Sequence, residues 1–336
     1  MLGAAIPSPS HPVQLHRDGR CRRIGKDLRP ERLDLGMSIL LTGGAGYIGS
    51  AVLERLLAAG HEVSALVRSP EKAAVVQAAG ATAVIGSADD AEIVRAAAGA
   101  ADGVIHLASS PEVDSVLVPA VLAAIEGRDA RFVHTGGIWI YGSGTDLTEQ
   151  SPFQPLPISG WRAEGQALVN AAPNTAVVAP AVVYGDGAGI VRGLITAPRG
   201  TGVAPTVPLV GDGSQHWTTV HVDDIAALYV LAYENRSARG VYIGASGVNP
   251  TVRELGEAIA AAEHVAGGVA PETVEASRER LGADFADALL LDQQASGARA
   301  RTELGWAPTG ASVLDEIGSG SYAPSPAADR SEEPAA

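Results

Sequence analysis

Gly43, Gly46 and Gly49 stand at three-residue intervals in the run Thr42-Gly43-Gly44-Ala45-Gly46-Tyr47-Ile48-Gly49-Ser50. That spacing suits a loop that holds a diphosphate. The first glycine permits a tight turn, the second removes a side chain where backbone must approach the phosphates, and the third allows close packing of a following helix. Amide N–H groups at the start of such a helix, with the helix dipole behind them, favour negative charge. A second chemical signal lies further on, at Leu66-Val67-Arg68-Ser69. An acid at this point would hold the ribose hydroxyls of NAD, whereas an arginine accommodates the 2′-phosphate of NADP. No acid is present at the tip, so Arg68 points to NADP, with NAD as the alternative.

These residues need elements to position them. Ile39-Leu40-Leu41 reads as a short strand running into the glycine loop, and Ile48, Val52, Leu53, Leu56 and Leu57 give the next segment one apolar helical face. Strand and helix patterns then alternate. Strands are expected at 61–67, 83–85, 103–107, 131–134 and 175–178, with helices at 71–79, 89–98, 113–125 and 159–170. About six strands joined by helices make an α/β fold, a Rossmann-type doubly wound parallel sheet. After Tyr184 the pattern becomes rich in glycine and proline with scattered helices, including 223–233, 252–263 and 271–281, as expected for a smaller C-terminal cap. The resulting division is a disordered extension at 1–36, a dinucleotide-binding domain at 37–184, a cap region with elements returning to the core at 185–322, and a disordered tail at 323–336.

Composition narrows the partners. A net charge of -14 over 336 residues would repel a nucleic-acid backbone. The lone cysteine, Cys21, leaves no internal disulfide to form, and no apolar run is long enough for a membrane span. A cytoplasmic protein acting on a small molecule is expected, and a homodimer is allowed. Arg22-Arg23 has no apolar stretch behind it and does not read as an export signal.

Several ordered motifs carry a resemblance. The glycine run, His106-Leu107-Ala108-Ser109, Val182-Val183-Tyr184-Gly185, Val210–Ser214 leading to Val220–Asp224, and Leu304–Pro308 resemble extended short-chain dehydrogenases/reductases, the NAD-dependent epimerase/dehydratase family. The likeness extends from Met37 to Tyr322. It implies that Gly43, Gly46, Tyr47, Ile48 and Gly49 contact the pyrophosphate, that Leu107 and Ala108 lie along the adenosine and ribose, and that Pro180 to Val183, Val182 included, flank the nicotinamide. For His221, Asp223 and Asp224 it implies either a substrate-side role or a structural tie between cap and core.

The same resemblance exposes a departure. Such enzymes use Ser or Thr, Tyr and Lys together, the lysine lowering the pKa of a proton-transferring phenol. Here Gly137 takes the serine position, Ile158 the tyrosine position and Arg162 the lysine position. Arg162 supplies charge but is a poor proton donor. Tyr141 and Tyr184 are candidate donors, Glu164 reads as an exposed helix residue, and His134 as part of the core. His216 and Trp217 stand where relatives carry an arginine for a nucleotide diphosphate, which weighs against a nucleotide sugar. The histidine spacing suggests no metal site. The expected activity is an NAD(P)-dependent oxidoreductase on a small carbonyl or hydroxyl compound, with Tyr141 and Arg162 as candidate catalytic residues. An epimerase or dehydratase with recycled NAD, and a catalytically silent dinucleotide sensor, are the alternatives.

Overall fold

The computed structural model describes residues 37–200 and 204–324. The expectations for 1–36 and for 325–336 lie outside the described residues. Within them, β1 (Ser38–Thr42) forms because Ile39, Leu40 and Leu41 are apolar on both faces, and all three are fully buried. A strand covered on both sides belongs at the centre of a parallel sheet. Each such side chain stabilises the fold by roughly 1.5–3 kcal/mol relative to exposure. Next along the chain come α1 (Tyr47–Ala58), β2 (Glu62–Val67), α2 (Pro70–Ala78), β3 (Thr82–Ile85), α3 (Ala91–Ala100) and β4 (Gly103–His106). They are followed by α4 (Pro111–Ile125), β5 (Arg131–Thr135), α5 (Arg162–Ala171), β6 (Thr175–Pro180), α6 (Val222–Glu234) and β7 (Gly240–Gly244).

The seven strands run parallel in the order β3-β2-β1-β4-β5-β6-β7. Helix α1 packs with α6, while α3 packs with α4 and α4 with α5. The strand order reverses between β1 and β4, and the crevice at their C-terminal ends is where this architecture accepts ligands. The sequence pattern gave six of these strands. It missed β7, whose Val241-Tyr242-Ile243 is a short buried run between two glycines, too brief for any period to emerge.

A second apolar cluster forms beyond the sheet, around Val191, Leu194, Val210, Trp217, Leu255, Ile259, Val313 and Ile317. Short parallel pairs stitch it together, such as Val182–Gly185 with Thr219–His221 and Val207–Pro208 with Val269–Ala270. Between β5 and α5 lie a 3₁₀ turn at Ile138–Tyr141 and a single helical turn at Pro157–Gly160. Those two turns bring the segment after β5 alongside the start of α5.

Candidate active site

Two cavities open at the C-terminal ends of the strands. The first, a groove of about 500 Å³, runs from the glycine loop across the tips of β2, β3 and β4. Gly43, Gly46, Arg68, Leu107 and Ala108 line it, as do Lys72 and Ser109. Its glycines are required by space. Gly43 has a φ of +76°, and a Cβ there would come within 2.9 Å of Ala108 N. A Cβ on Gly49 would come within 1.9 Å of Gly43 O, so helix and loop could not approach as they do. No side chain caps the first turn of α1, whereas Ser69, Asp90 and Ser110 cap α2, α3 and α4. The first amides of α1 are therefore left for a ligand, and this cradle fits a dinucleotide's pyrophosphate.

Arg68 is exposed at the rim and forms no ion pair among the described residues. Lys72, one turn into α2, joins it on the same wall. Lys72 carries no signal at the strand tip, because it stands in the first turn of the helix that follows. Ser69, placed between them, accepts from Lys72 N and caps the helix.

The second cavity, of about 290 Å³, lies on the other side of the loop. Tyr47, Ile48 and Val182 face it, together with Ile138, Trp139, Ile190, Ser159 and Arg162. Of the residues grouped by resemblance as cofactor contacts, Gly43, Gly46, Arg68, Leu107 and Ala108 thus line the groove, and Tyr47, Ile48 and Val182 the cavity beside it. The lining is largely apolar, and most of its polar groups are already engaged. Tyr47 donates its hydroxyl to Gly185 O at 2.9 Å. Thr135 donates to His106 O at 2.6 Å, which leaves the Tyr229 hydroxyl to donate to Thr135 at 2.8 Å. Ser159 makes only a 3.3 Å bond to Leu156 O.

Arg162 is the exception. Its Nη1 donates to Ser109 Oγ (3.1 Å) and to Thr135 O (3.2 Å), and its guanidinium lies 4.3 Å over the Trp161 ring. Neither Nε nor Nη2 has a partner among the described residues. Burial pulls the guanidinium below its ordinary pKa, against the opposing charge of Asp114. The side chain passes beside Gly137, where an added Cβ would sit 3.7 Å from Arg162 Nε. A hydroxyl side chain at 137 would therefore fit, and its absence is not forced by packing.

Tyr141 is not brought to this cavity. The 3₁₀ turn directs it inward, 1% exposed, with its ring edge-on to Phe153 at 5.3 Å. Its hydroxyl has no hydrogen bond of normal geometry among the described residues, although the Gln166 side chain lies close enough to act on it, and burial pushes its pKa up to about 12. Tyr184 is likewise buried and donates to Ala311 O at 2.8 Å. Glu164 is exposed on α5. His216 is tied to Asp292 Oδ1 at 2.9 Å, so a carboxylate stands beside the position where the resemblance puts an arginine. His221 caps α6 through Asp223 N, and Asp224 accepts from Thr309 N and Gly310 N, joining the C-terminal segment to that helix.

His134 is a core strand residue, but it is not alone. Register places Thr42, His106 and His134 side by side at the ends of β1, β4 and β5, with Asp114 of α4 against them. Sequence spacing did not reveal this grouping. By residue type it could take a metal ion, but its oxygens and His106 are already engaged in hydrogen bonds with one another and with Thr42 and Ser109. Arg162 is one hydroxyl away, and its charge would oppose a cation there.

The profile of the NAD dependent epimerase/dehydratase family matches residues 39–244. A ketoreductase of Stigmatella aurantiaca that acts on 4-hydroxy-2-methyl-3-oxo-4-farnesyl-3,4-dihydroquinoline-1-oxide is 29% identical over 241 residues, 65% of this chain and 71% of that protein. The UDP-glucose 4-epimerase of Mycolicibacterium smegmatis is 29% identical over 309 residues, 81% of this chain and 94% of that protein. Among solved structures, UDP-glucose 4-epimerase of Thermus thermophilus in complex with NAD superposes with a TM-score of 0.66 at 23% identity, covering 85% of this chain and 98% of that one. At that identity the likeness concerns the fold.

Proposed function

The chain belongs to the NAD dependent epimerase/dehydratase family, and from that premise we propose that it is an NADP-dependent reductase of uncharged, largely apolar carbonyl compounds. The observation that carries this reading is the pair of unpartnered donors on Arg162, Nε and Nη2, in an otherwise apolar cavity. The reduced nicotinamide, when bound, supplies hydride to a carbonyl carbon. The guanidinium donates to the carbonyl oxygen and meets the negative charge that grows there, an effect that is worth most in a water-poor cavity. Ile48, Ile138, Trp139, Val182 and Ile190 keep that cavity apolar and accept a hydrophobic substrate body. Arg162 does not give up its proton. The proton that completes the alcohol comes from water at the cavity mouth, with the loosely held Ser159 hydroxyl placed to pass it on.

Two further points favour a reductase over a nucleotide-sugar epimerase. A diphosphate needs fixed cations on the substrate side, and the His216–Asp292 pair offers a carboxylate instead. A ketoreductase among the chain's relatives supports carbonyl reduction as the reading. Arg68 and Lys72 on the groove wall support NADP over NAD.

Fluorescence titration with NADPH and NADH, followed by absorbance assays on a panel of aromatic and aliphatic aldehydes and ketones, tests this reading. Stoichiometric NADPH consumption is expected, and Arg162→Ala should lower kcat by roughly 10²–10³ while cofactor Kd stays unchanged. Tight NADPH binding without turnover of any carbonyl would overturn the reductase and leave a dinucleotide-binding protein.

A further inference from the structure

Behind Arg162 lies a set of buried polar groups that the reaction as proposed does not use. Ser109 accepts from Arg162 Nη1 at 3.1 Å and donates to Asp114, whose two oxygens each lie 2.8 Å from Ser109 Oγ. Asp114 is 5% exposed, in the first turn of α4. His106 Nε2 lies 3.0 Å from its Oδ1, and His134 Nε2 makes a longer approach of 3.5 Å to Oδ2. Donor counting fixes one tautomer. Thr42 Oγ1 accepts the N–H groups of Leu107 and Ala108 at 3.3 and 3.4 Å, so its own proton points to His106 Nδ1, 2.6 Å away. His106 therefore carries its proton on Nε2 and donates it to Asp114.

The charges follow from the same geometry. Burial pushes His134 down to about 3, so it is neutral. Burial opposes charge on Asp114 more than any other single influence, but its contacts with His106, His134 and Ser109 together outweigh it and hold the carboxyl below its ordinary range. The network thus contains one anion, two neutral imidazoles and the hydroxyls of Ser109 and Thr42, and the cation joined to it is Arg162. A buried guanidinium without a counter-ion is costly, and its long side chain would swing toward water.

We propose that Asp114 is the buried counter-charge of Arg162, acting through Ser109 as a positioning residue that leaves Nε and Nη2 facing the cavity. For the use made of Arg162 this rests on the reductase reading; the pairing itself does not. Asp114→Asn keeps size and removes charge. With NADPH and the diketone probe 9,10-phenanthrenequinone, it should lower kcat about 10–100-fold and leave the KM for NADPH within about two-fold. Ser109→Ala should lower kcat about 10-fold, and Ser109→Thr, which restores a hydroxyl, should recover most of it.

The deciding measurement is a double-mutant cycle. In an Arg162→Ala background, Asp114→Asn should change kcat by less than about two-fold, because the group it positions is gone. A merely structural Asp114 would give the same loss in both backgrounds, and that result overturns the proposal. If Asp114→Asn does not fold, Ser109→Ala takes its place in the cycle. If wild-type protein reduces no carbonyl, the reductase reading falls, and the pairing is decided by Tm instead. Shifts for Arg162→Ala and Asp114→Asn that combine to less than their sum support it, and additive shifts overturn it.

Discussion

The groove and the cavity share one glycine loop, yet they are built by different means. In the groove, backbone does the binding. Gly43 and Gly49 are fixed by contacts of 2.9 and 1.9 Å that any Cβ would have to make with neighbouring main chain. In the cavity, side chains do the work, and space is permissive: a Cβ on Gly137 would meet nothing closer than 3.7 Å. Steric necessity fixes the residue type in the first region, while the second has room for other side chains. On the reductase reading, a backbone-built dinucleotide site stands beside a cavity whose reacting polar group is Arg162.

The sharpest way to break this contrast is at Gly49. A methyl group there must displace the loop carbonyl of Gly43, because 1.9 Å is far inside van der Waals contact. Gly49→Ala is expected to abolish measurable NADPH binding in a fluorescence titration and to lower Tm by several degrees. Retention of wild-type affinity would mean that the loop is soft and the distinction false. Gly137→Ala is the control in the second region, where the added methyl meets only ordinary contacts.

The difference in construction also decided what could be read in advance. Glycines at Gly43, Gly46 and Gly49 behind a buried strand announce both the sheet and the cradle, because backbone rules translate directly into residue type. The chain after β6 resisted such reading, since β7 is short and the small pairs at Val182–Gly185 and Thr219–His221 carry no period. Tyr141 looked competent because Tyr-Gly after a strand is ambiguous, and only the 3₁₀ turn decides which way the ring faces. The Asp114 network was invisible for another reason. Thr42, His106 and His134 are neighbours only through strand register, and neither β1/β4 nor β4/β5 register is written in local sequence. Lys72 was hidden by its place one turn past the strand tip.

A smaller effect is expected at the groove's outer end, where side chains rather than backbone select between cofactors. Arg68 is exposed and forms no ion pair among the described residues, so on the NADP reading its contact with a 2′-phosphate is a charge-assisted hydrogen bond at a wet rim, lost at a cost of about 1.5–3 kcal/mol. Arg68→Asp should therefore weaken NADPH about 10–100-fold and strengthen NADH, since a carboxylate repels the phosphate and accepts from ribose hydroxyls. Lys72→Ala should weaken NADPH by only a few-fold, because Arg68 remains. Equal affinity for the two cofactors in wild-type protein would show that the cation pair does not select. It would leave the glycine cradle as the sole basis of binding.

The least effect is expected at Tyr141, and there it sharpens the contrast most. Its hydroxyl is buried, has no hydrogen bond of normal geometry among the described residues and lies away from the cavity lining. Removing an unsatisfied buried hydroxyl relieves a desolvation cost, so Tyr141→Phe should leave stability unchanged or raise it by up to about 1 kcal/mol in urea unfolding. Turnover of a carbonyl probe should remain within about two-fold, since the ring contact with Phe153 is kept and no proton path is cut. A kcat lowered by orders of magnitude would require the 3₁₀ turn to reorganise when cofactor binds, swinging the phenol toward the nicotinamide. Arg162 would then return to the lysine's role beside a working tyrosine, and the cavity would be a rearranged version of the familiar centre rather than one rebuilt on a single guanidinium.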